Sequence, residues 1–295
     1  MKMRIVLILS VALVATACGA PASSDGSAIV VTTTVLGDFV RQIAGDGVTV
    51  EVLMPIGADP HEFEASARQV AAMEKATLVV ANGLGLEEGM TSVLDAVESD
   101  GVPVLKVGEL ETPRHFSDGT PDPHVWFDPV RMANAATAVA AKLAEVAPDA
   151  ADWTARGQAY AQEIRATEET MRSLFDQIPV DRRKLVTGHM AFGYLADRFG
   201  FSIVGVVIPG GGTMGAPSAG DLASLAQTIV DENVPVIFTE STESPTLADT
   251  LAREVGRDVK VVSLYTGSLG APGSGADTYL GLLLTDARTI TDALK

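Results

Sequence analysis

Short β-branched runs alternate with amphipathic segments from Ala28 to the end of the chain, and this alternation constrains the fold more than any other feature. In the first half, four such runs predict strands over residues 29–33, 48–53, 78–81 and 102–107, with helices between them. Strands that alternate with helical crossovers pair in parallel. The first half is therefore predicted to be a βα domain with a parallel sheet.

The same alternation returns in the second half of the chain. Strands are predicted over residues 184–187, 202–207, 236–239 and 259–263, again with helices between them. No close sequence repeat links the halves, so the similarity is one of architecture. We predict an α/β protein with two parallel-sheet βα domains, residues 28–148 and 179–295.

The predicted domains are joined by one long helical segment, residues 149–178. Its apolar side chains recur at steps of three, four or seven residues and so form one helical stripe: Trp153, Gly157, Tyr160, Ile164, Met171, Leu174 and Ile178. Such a helix is roughly 40 Å long. Flexible hinges are rich in Gly and Ser, so this connector predicts a rigid link and little domain closure.

The first 27 residues are not expected to be part of the fold. Lys2 and Arg4 precede a 13-residue apolar run that ends in small residues before Cys18, the only cysteine. This pattern is typical of a signal peptide, residues 1–18, and the lone cysteine resembles a bacterial lipobox. We expect Cys18 to carry a lipid that anchors the protein at the extracytoplasmic face of the cell membrane, with residues 19–27 as a flexible tether. The alternative is a removed signal peptide with an incidental cysteine.

Charge and cysteine content limit the possible ligands. The formal net charge is −17 among 295 residues, which argues against a nucleic-acid partner because binding phosphates needs a basic face. With Cys18 used as the anchor, no cysteine is left for a thiolate site. Any metal must then be bound by His, Asp and Glu.

Three of the four histidines follow predicted strands. His61 comes after the second strand, His124 after the fourth, and His189 directly after the first strand of the second half. Ligands of open α/β sheets bind outside the carboxyl ends of strands, so the three imidazoles are expected to converge in the cleft between the domains. The alternative is three unrelated structural histidines. Convergence predicts a site for a divalent cation.

His124 lies in a stretch, residues 121–129, that three prolines keep out of helix and central strand. Carboxylates flank it, and a carboxylate near a histidine commonly orients a metal-ligating imidazole. Asp128 is a candidate for that role. A fourth ligand oxygen has two candidates at strand ends, Glu240 and Asp277. Spacing alone does not decide between them.

The motifs around these residues resemble those of the metal-specific solute-binding proteins of bacterial ABC transporters, the group that binds zinc or manganese. The similarity runs from about Ile29 to Lys295, and five stretches carry it: 57–64 (GADPHEFE), 122–129 (DPHVWFDP), 189–194 (HMAFGY), 217–222 (PSAGDL) and 277–279 (DTY).

The resemblance implies that His61, His124, His189 and Asp277 bind the metal, which leaves Glu240 to orient a ligand. It also implies a function as the extracytoplasmic component of an importer, a monomer that delivers its ion to a membrane permease. Manganese-specialised members tend to have Glu at the position of His189. Three imidazoles and one carboxylate suit Zn²⁺, so zinc is expected, with manganese as the alternative.

Three features distinguish this chain from many zinc-binding members of that family, from zinc hydrolases and from adhesins. Many zinc members have a long His-rich loop, whereas residues 109–120 contain only His115, which is expected to be a solvated loop residue. A zinc hydrolase would need an open metal position and a nearby base, and the chain has no His-Glu-x-x-His helix. An adhesin would not need converging histidines. The protein is therefore not expected to be an enzyme.

Overall fold

The computed structural model describes residues 28–148 and 152–295. The predicted signal peptide, Cys18, the tether and residues 149–151 of the predicted connector lie outside the described residues. Within the described ranges, no helix is both long enough and apolar enough to cross a bilayer.

The N-terminal half, residues 28–146, contains a four-stranded sheet in which every pair is parallel. All four predicted strands are present, in the order β2-β1-β3-β4. The strands are β1 (Ala28–Val31), β2 (Thr49–Val52), β3 (Leu78–Ala81) and β4 (Val104–Lys106). The helices that accompany them are α1 (Thr34–Ala44), α2 (Ala67–Met73), α3 (Thr91–Ser99) and α4 (Pro129–Val146).

Burial along these strands follows their position in the sheet. The inner strand β3 is a continuous apolar run and is buried at every residue, as expected for a parallel strand covered on both faces. The edge strand β2 alternates between exposed and half-buried residues. Helix α4 begins at Pro129, because Asp128 accepts the backbone N–H groups of Val130 and Arg131 and Pro129 occupies the first turn.

A long helix, α5 (Trp153–Phe175), follows α4. Most of the described part of the predicted connector is thus helical, although the helix ends at Phe175 and not at residue 178. The helix packs antiparallel to α4: Arg165 donates to Asn134 near one end, and the Trp153 indole donates to the Ala147 carbonyl near the other. The connector is therefore supported by a second helix from Trp153 to Arg165.

The C-terminal half, residues 184–295, repeats the architecture with a second parallel sheet in the order β6-β5-β7-β8. Its strands are β5 (Lys184–Thr187), β6 (Ser202–Val206), β7 (Val236–Glu240) and β8 (Lys260–Leu264). Its helices are α6 (Gly193–Phe199), α7 (Ala219–Asp231), α8 (Thr246–Glu254) and α9 (Tyr279–Leu294).

One hydrophobic core runs through both halves. It includes residues of β1, α1, α4, α5, α6 and α9, whereas two smaller cores lie on the outer faces of the sheets. Phe39 of α1 shows how the halves join, because its ring contacts Tyr160 of α5 and Tyr279 of α9 at centroid distances of 5.4 and 5.9 Å. Relative domain motion is the default only where the interface is small or polar. The shared core therefore opposes hinge motion.

Small-angle scattering of the metal-free and metal-loaded protein is expected to give radii of gyration within about 1 Å of each other. The reason is that α5 contains no proline, which would be one cause of a sharp kink, and that closing the cleft would shear the shared core. A compaction of several ångströms on adding metal would instead show hinge closure.

Candidate metal centre

Three histidine side chains meet where the carboxyl ends of the two sheets face each other. His61 lies in the loop after β2, His124 in the stretch after β4, and His189 two residues after β5. All three are buried. The Nε2 atom of His124 lies 3.4 Å from that of His61 and 3.0 Å from that of His189. The structure thus brings together the three histidines that follow predicted strands.

The spacing of these nitrogens suits a small tetrahedral ion. With Zn–N bonds of 2.0–2.1 Å, two ligand nitrogens on one tetrahedral zinc lie about 3.3 Å apart. The observed separations of 3.0 and 3.4 Å lie on either side of that value. Within residues 28–148 and 152–295, no fourth His, Cys, Asp or Glu joins this group. The described residues therefore supply three nitrogen donors.

The pocket at the histidines is very small. Its volume of about 10 Å³ is roughly that of one water-sized sphere, which excludes a sugar or an amino acid. Besides the histidines, it is lined by Asp59, Pro60, Trp126, Thr213, Glu240, Thr242, Thr266 and Gly267. A cavity of about 310 Å³ lies at the opposite, amino-terminal ends of β5, β7 and β8, but no histidine lines it.

His124 is oriented by the aspartate two residues before it. The Oδ1 atom of Asp122 accepts both the backbone N–H of His124, at 3.0 Å, and its Nδ1, at 2.8 Å. An ionised carboxylate can only accept hydrogen bonds, so Nδ1 carries the hydrogen. The Nε2 lone pair is then free to face the neighbouring histidines.

His189 is oriented in the same way from a different strand. Oε1 of Glu240, at the end of β7, accepts the backbone N–H of His189 at 2.9 Å and its Nδ1 at 2.6 Å. Gly188 makes this approach possible, since a Cβ on that residue would lie 2.5 Å from Glu240 Oε1. Glu240 thus makes a direct contact with His189 of the kind that its predicted orienting role requires.

His61 is oriented differently. Asp59 accepts its backbone N–H at 2.9 Å, so the Asp-Pro-His turn of residues 122–124 is repeated at residues 59–61. Asp59 does not also accept from the ring. The nearest carboxylate to Nδ1 is that of the half-exposed Glu88, at 3.5 Å and without hydrogen-bond geometry. His61 is therefore the least constrained of the three imidazoles.

Burial and neighbouring charges give the three rings different proton affinities. Burial, followed by the proximity of the other two imidazoles, lowers the pKa of His61 to about 2. Burial also lowers the pKa of His124, although Asp122 opposes the change. Burial alone would lower the pKa of His189, but the Glu240 carboxylate outweighs it and raises that pKa. Two of the imidazoles, those of His61 and His124, thus favour the neutral form, which is the form that binds a cation.

Two candidates from the sequence lie elsewhere. Asp277 is exposed, and its carboxylate accepts the Gly273 N–H at 2.9 Å. The glycine-rich stretch after β8 carries it away from the strand end, so Thr266 and Gly267 line the pocket there instead. The structure therefore places Asp277 outside the site that the resemblance implies for it.

Asp128 also has a different role from the one predicted. Its carboxylate caps α4 and accepts two hydrogen bonds from Arg198, at 3.0 and 2.7 Å. None of its described contacts is with a histidine, because the 3₁₀ turn Val125–Phe127 separates it from His124. The orienting carboxylate is Asp122. The fourth histidine, His115, is exposed in its loop, as expected for a solvated residue.

The sequence contained a signal for Asp122. An Asp side chain commonly accepts a backbone N–H two residues further on, and Asp-Pro-His occurs twice in this chain, each time at one of the converging histidines. Glu243 has no such signal. It is brought 3.8 Å from His189 Nδ1 by the turn after β7, a placement that only the fold reveals.

Comparison with known proteins extends these observations. The profile of one protein family, described as "ZnuA: Zinc-uptake complex component A periplasmic", matches residues 29–293. The chain is 32% identical to the zinc-binding protein TroA of Treponema pallidum, over 92% of this chain and 91% of that protein. The solved structure of TroA covers 91% of this chain and 99% of its own, with a TM-score of 0.86 at 31% identity.

Relatives named for other metals are about as similar. The manganese-binding lipoprotein MntA of Halalkalibacterium halodurans is 30% identical over 98% of this chain and 97% of its own length. The iron-binding protein YfeA of Yersinia pestis is 29% identical over 89% of this chain and 84% of its own. Overall identity therefore does not indicate one metal.

Proposed function

The chain belongs to the ZnuA family of periplasmic metal-uptake components, and on that basis we propose that it captures Zn²⁺ outside the cytoplasm and delivers it to the permease of an ABC importer. The observation that carries this proposal is the convergence of three buried Nε2 atoms at 3.0–3.4 Å. Members of the family are substrate-binding components of transporters, and no catalytic step is proposed for this chain.

The proposed ligands are His61, His124 and His189, each through Nε2. Asp122 and Glu240 accept hydrogen bonds from the opposite ring nitrogens of His124 and His189. Such carboxylates fix the tautomer and the ring direction of metal ligands. The ion itself is the cargo, so the site has to bind it firmly and later release it.

Zinc is favoured over manganese by the donor atoms. Three neutral imidazoles suit Zn²⁺, whereas Mn²⁺ prefers oxygen ligands and stands at the weak end of the affinity order for nitrogen sites. Manganese or mixed specificity remains the second candidate, because MntA is a relative of comparable identity.

Calorimetric titration of the metal-stripped mature protein tests this choice. We expect one Zn²⁺ per chain, bound on the order of 100-fold more tightly than Mn²⁺. Titration of the two metals under the same buffer and pH supplies the comparison. Equal or tighter binding of Mn²⁺ would support the manganese alternative, and absence of binding by either ion would contradict the proposed function.

We further propose that Cys18 carries the lipid that retains the protein at the membrane as a monomer, a role in line with the lipoprotein names of several relatives. Cys18→Ala is expected to move the protein from the membrane fraction to the soluble fraction without changing Zn²⁺ affinity, because the anchor and the histidines lie on separate parts of the chain. Continued membrane retention of the variant would remove the lipid-anchor proposal.

A further inference from the structure

The carboxylate that orients His124 is itself held by an arginine. Asp122 is fully buried, and its Oδ1 is occupied by the backbone and ring of His124. Its Oδ2 accepts from Nη1 of Arg114 at 3.1 Å. A buried carboxylate that loses its cationic partner is strongly destabilised. The direction of the His124 ring therefore depends on a contact with Arg114.

Arg114 is in turn held by the other half of the molecule. Its Nε donates to Asp197 of α6 at 2.9 Å, and its backbone N–H donates to the hydroxyl of Tyr194 on the same helix, at 2.8 Å. That hydroxyl donates to the backbone carbonyl of Asp122 at 3.1 Å. Arg114 and Asp122 thus both form hydrogen bonds with α6, although both residues belong to the N-terminal half.

Gly193 shows how closely this pair is fitted to α6. A Cβ on Gly193 would lie 2.5 Å from Arg114 Nη1 and 2.7 Å from Asp122 Oδ2, which is too short for any real contact. The first residue of α6 must therefore lack a side chain if the guanidinium and the carboxylate are to lie against the helix. This is an observation independent of the hydrogen bonds.

We propose that Arg114 is a positioning residue, which fixes the His124 imidazole for metal binding by holding Asp122 against α6 of the C-terminal half. The proposal rests on the proposed function, because it takes His124 to be a ligand. It makes the ligand geometry of an N-terminal histidine depend on contact between the two halves. An exposed ion pair contributes little, but here one partner is fully buried and contacts the ligand.

Arg198 offers a matched control. Its side chain is 30% exposed, against 29% for Arg114. It too pairs with an aspartate of the N-terminal half, Asp128, from a place on α6. Asp128 contacts no histidine in the described structure. Loss of Arg198 therefore removes a contact between the two halves but leaves the residues that orient His124 unchanged.

The test compares Zn²⁺ affinity and the visible absorption of the Co²⁺-loaded protein in the parent, Arg114→Ala, Arg114→Lys and Arg198→Ala. Arg114→Ala is expected to weaken Zn²⁺ binding by about 10- to 100-fold and to alter the Co²⁺ bands, which report ligand geometry. Lysine keeps the positive charge but lacks the forked guanidinium group, which contacts both Asp122 and Asp197. Arg114→Lys should therefore retain part of the Zn²⁺ affinity that Arg114→Ala loses. Arg198→Ala should lower the melting temperature and leave affinity and spectrum unchanged.

Gly193→Ala serves if Arg114→Ala does not fold, because its methyl group displaces the same pair and should shift the Co²⁺ bands in the same direction. Parental affinity and spectrum in Arg114→Ala or in Gly193→Ala would overturn the positioning role, and so would an equal loss in Arg198→Ala. If His124→Ala binds Zn²⁺ like the parent, His124 is not a ligand and the proposed function fails at that residue. If His124→Ala loses Zn²⁺ affinity but Arg114→Ala does not, only the positioning role of Arg114 is refuted.

Discussion

We expect Zn²⁺ binding to weaken by at least about 100-fold in each of three variants, His61→Ala, His124→Ala and His189→Ala. Removing a residue that only orients a ligand typically costs about 10- to 100-fold in affinity, and removing the ligand itself should cost at least as much. Each variant removes one of only three nitrogen donors that the described structure supplies to the site. Competition titration of the metal-stripped proteins against a chelator of known affinity measures the loss.

Two further variants supply the controls for these substitutions. His115→Ala removes a histidine that is exposed in its loop, and Asp277→Ala removes an exposed carboxylate whose oxygen accepts the Gly273 N–H. Both should bind Zn²⁺ like the parent. Parental affinity in any one of the three alanine variants would show that its histidine is not a ligand, and a large loss in Asp277→Ala would restore that residue to the site.

The second large effect is on pH dependence. The pKa values of His61 and His124 are lowered chiefly by burial, so both rings favour the neutral form, which is the form that binds a metal. The pKa of His189 is raised by Glu240, which outweighs its burial. Burial, and then Glu240, raises the pKa of Glu243 to about 7. Zn²⁺ is therefore expected to displace protons chiefly from His189 and Glu243.

These pKa shifts determine the direction in which Zn²⁺ affinity changes with pH. Affinity is greatest above the raised pKa of His189 and falls as the pH drops through it, by about 10-fold per pH unit for each proton displaced. Calorimetry in buffers of different ionisation enthalpy counts the protons. The parent should release between one and two, and Glu243→Gln about one. Release of more than about two protons near pH 6, as expected of three imidazoles with the ordinary histidine pKa of about 6.5, would contradict the assignment, and so would release of none.

The positions of the three converging histidines were predictable because they follow from topology. In a parallel sheet the carboxyl ends of all strands lie at one edge, so a histidine just after a strand is placed there whatever the details of its loop. His189 needs only two residues to leave β5, and the proline-rich stretch around His124 has little freedom to move elsewhere. The position of each histidine relative to a predicted strand was therefore enough to place it at that edge.

The rest of the site depends on distances that the sequence does not contain. Asp277 follows a long, glycine-rich loop, and such a loop can return to the sheet or leave it without any change in residue pattern. Asp122 and Asp128 both lie within four residues of His124, yet a 3₁₀ turn directs Asp128 to α4 and Arg198. Arg114 reaches α6 across 83 residues of sequence. Only the folded chain brings such partners together.

The fold was predicted more completely than the site because periodicity covers many residues. All eight predicted strands are present, whereas the residue at which a helix begins depends on its capping contact. In helix α9 the Thr278 hydroxyl accepts the Gly281 N–H, and the helix starts at Tyr279. Asp277 is therefore in the loop and not in the first turn.

Anomalous diffraction at the zinc edge, from crystals of the Zn²⁺-loaded protein, tests directly whether three imidazoles bind one metal ion between the two halves. We expect one anomalous peak per chain, about 2.0–2.1 Å from Nε2 of His61, His124 and His189, with Asp277 still in its loop. A peak bound by other residues, or one that has drawn Asp277 into its coordination sphere, would contradict this expectation.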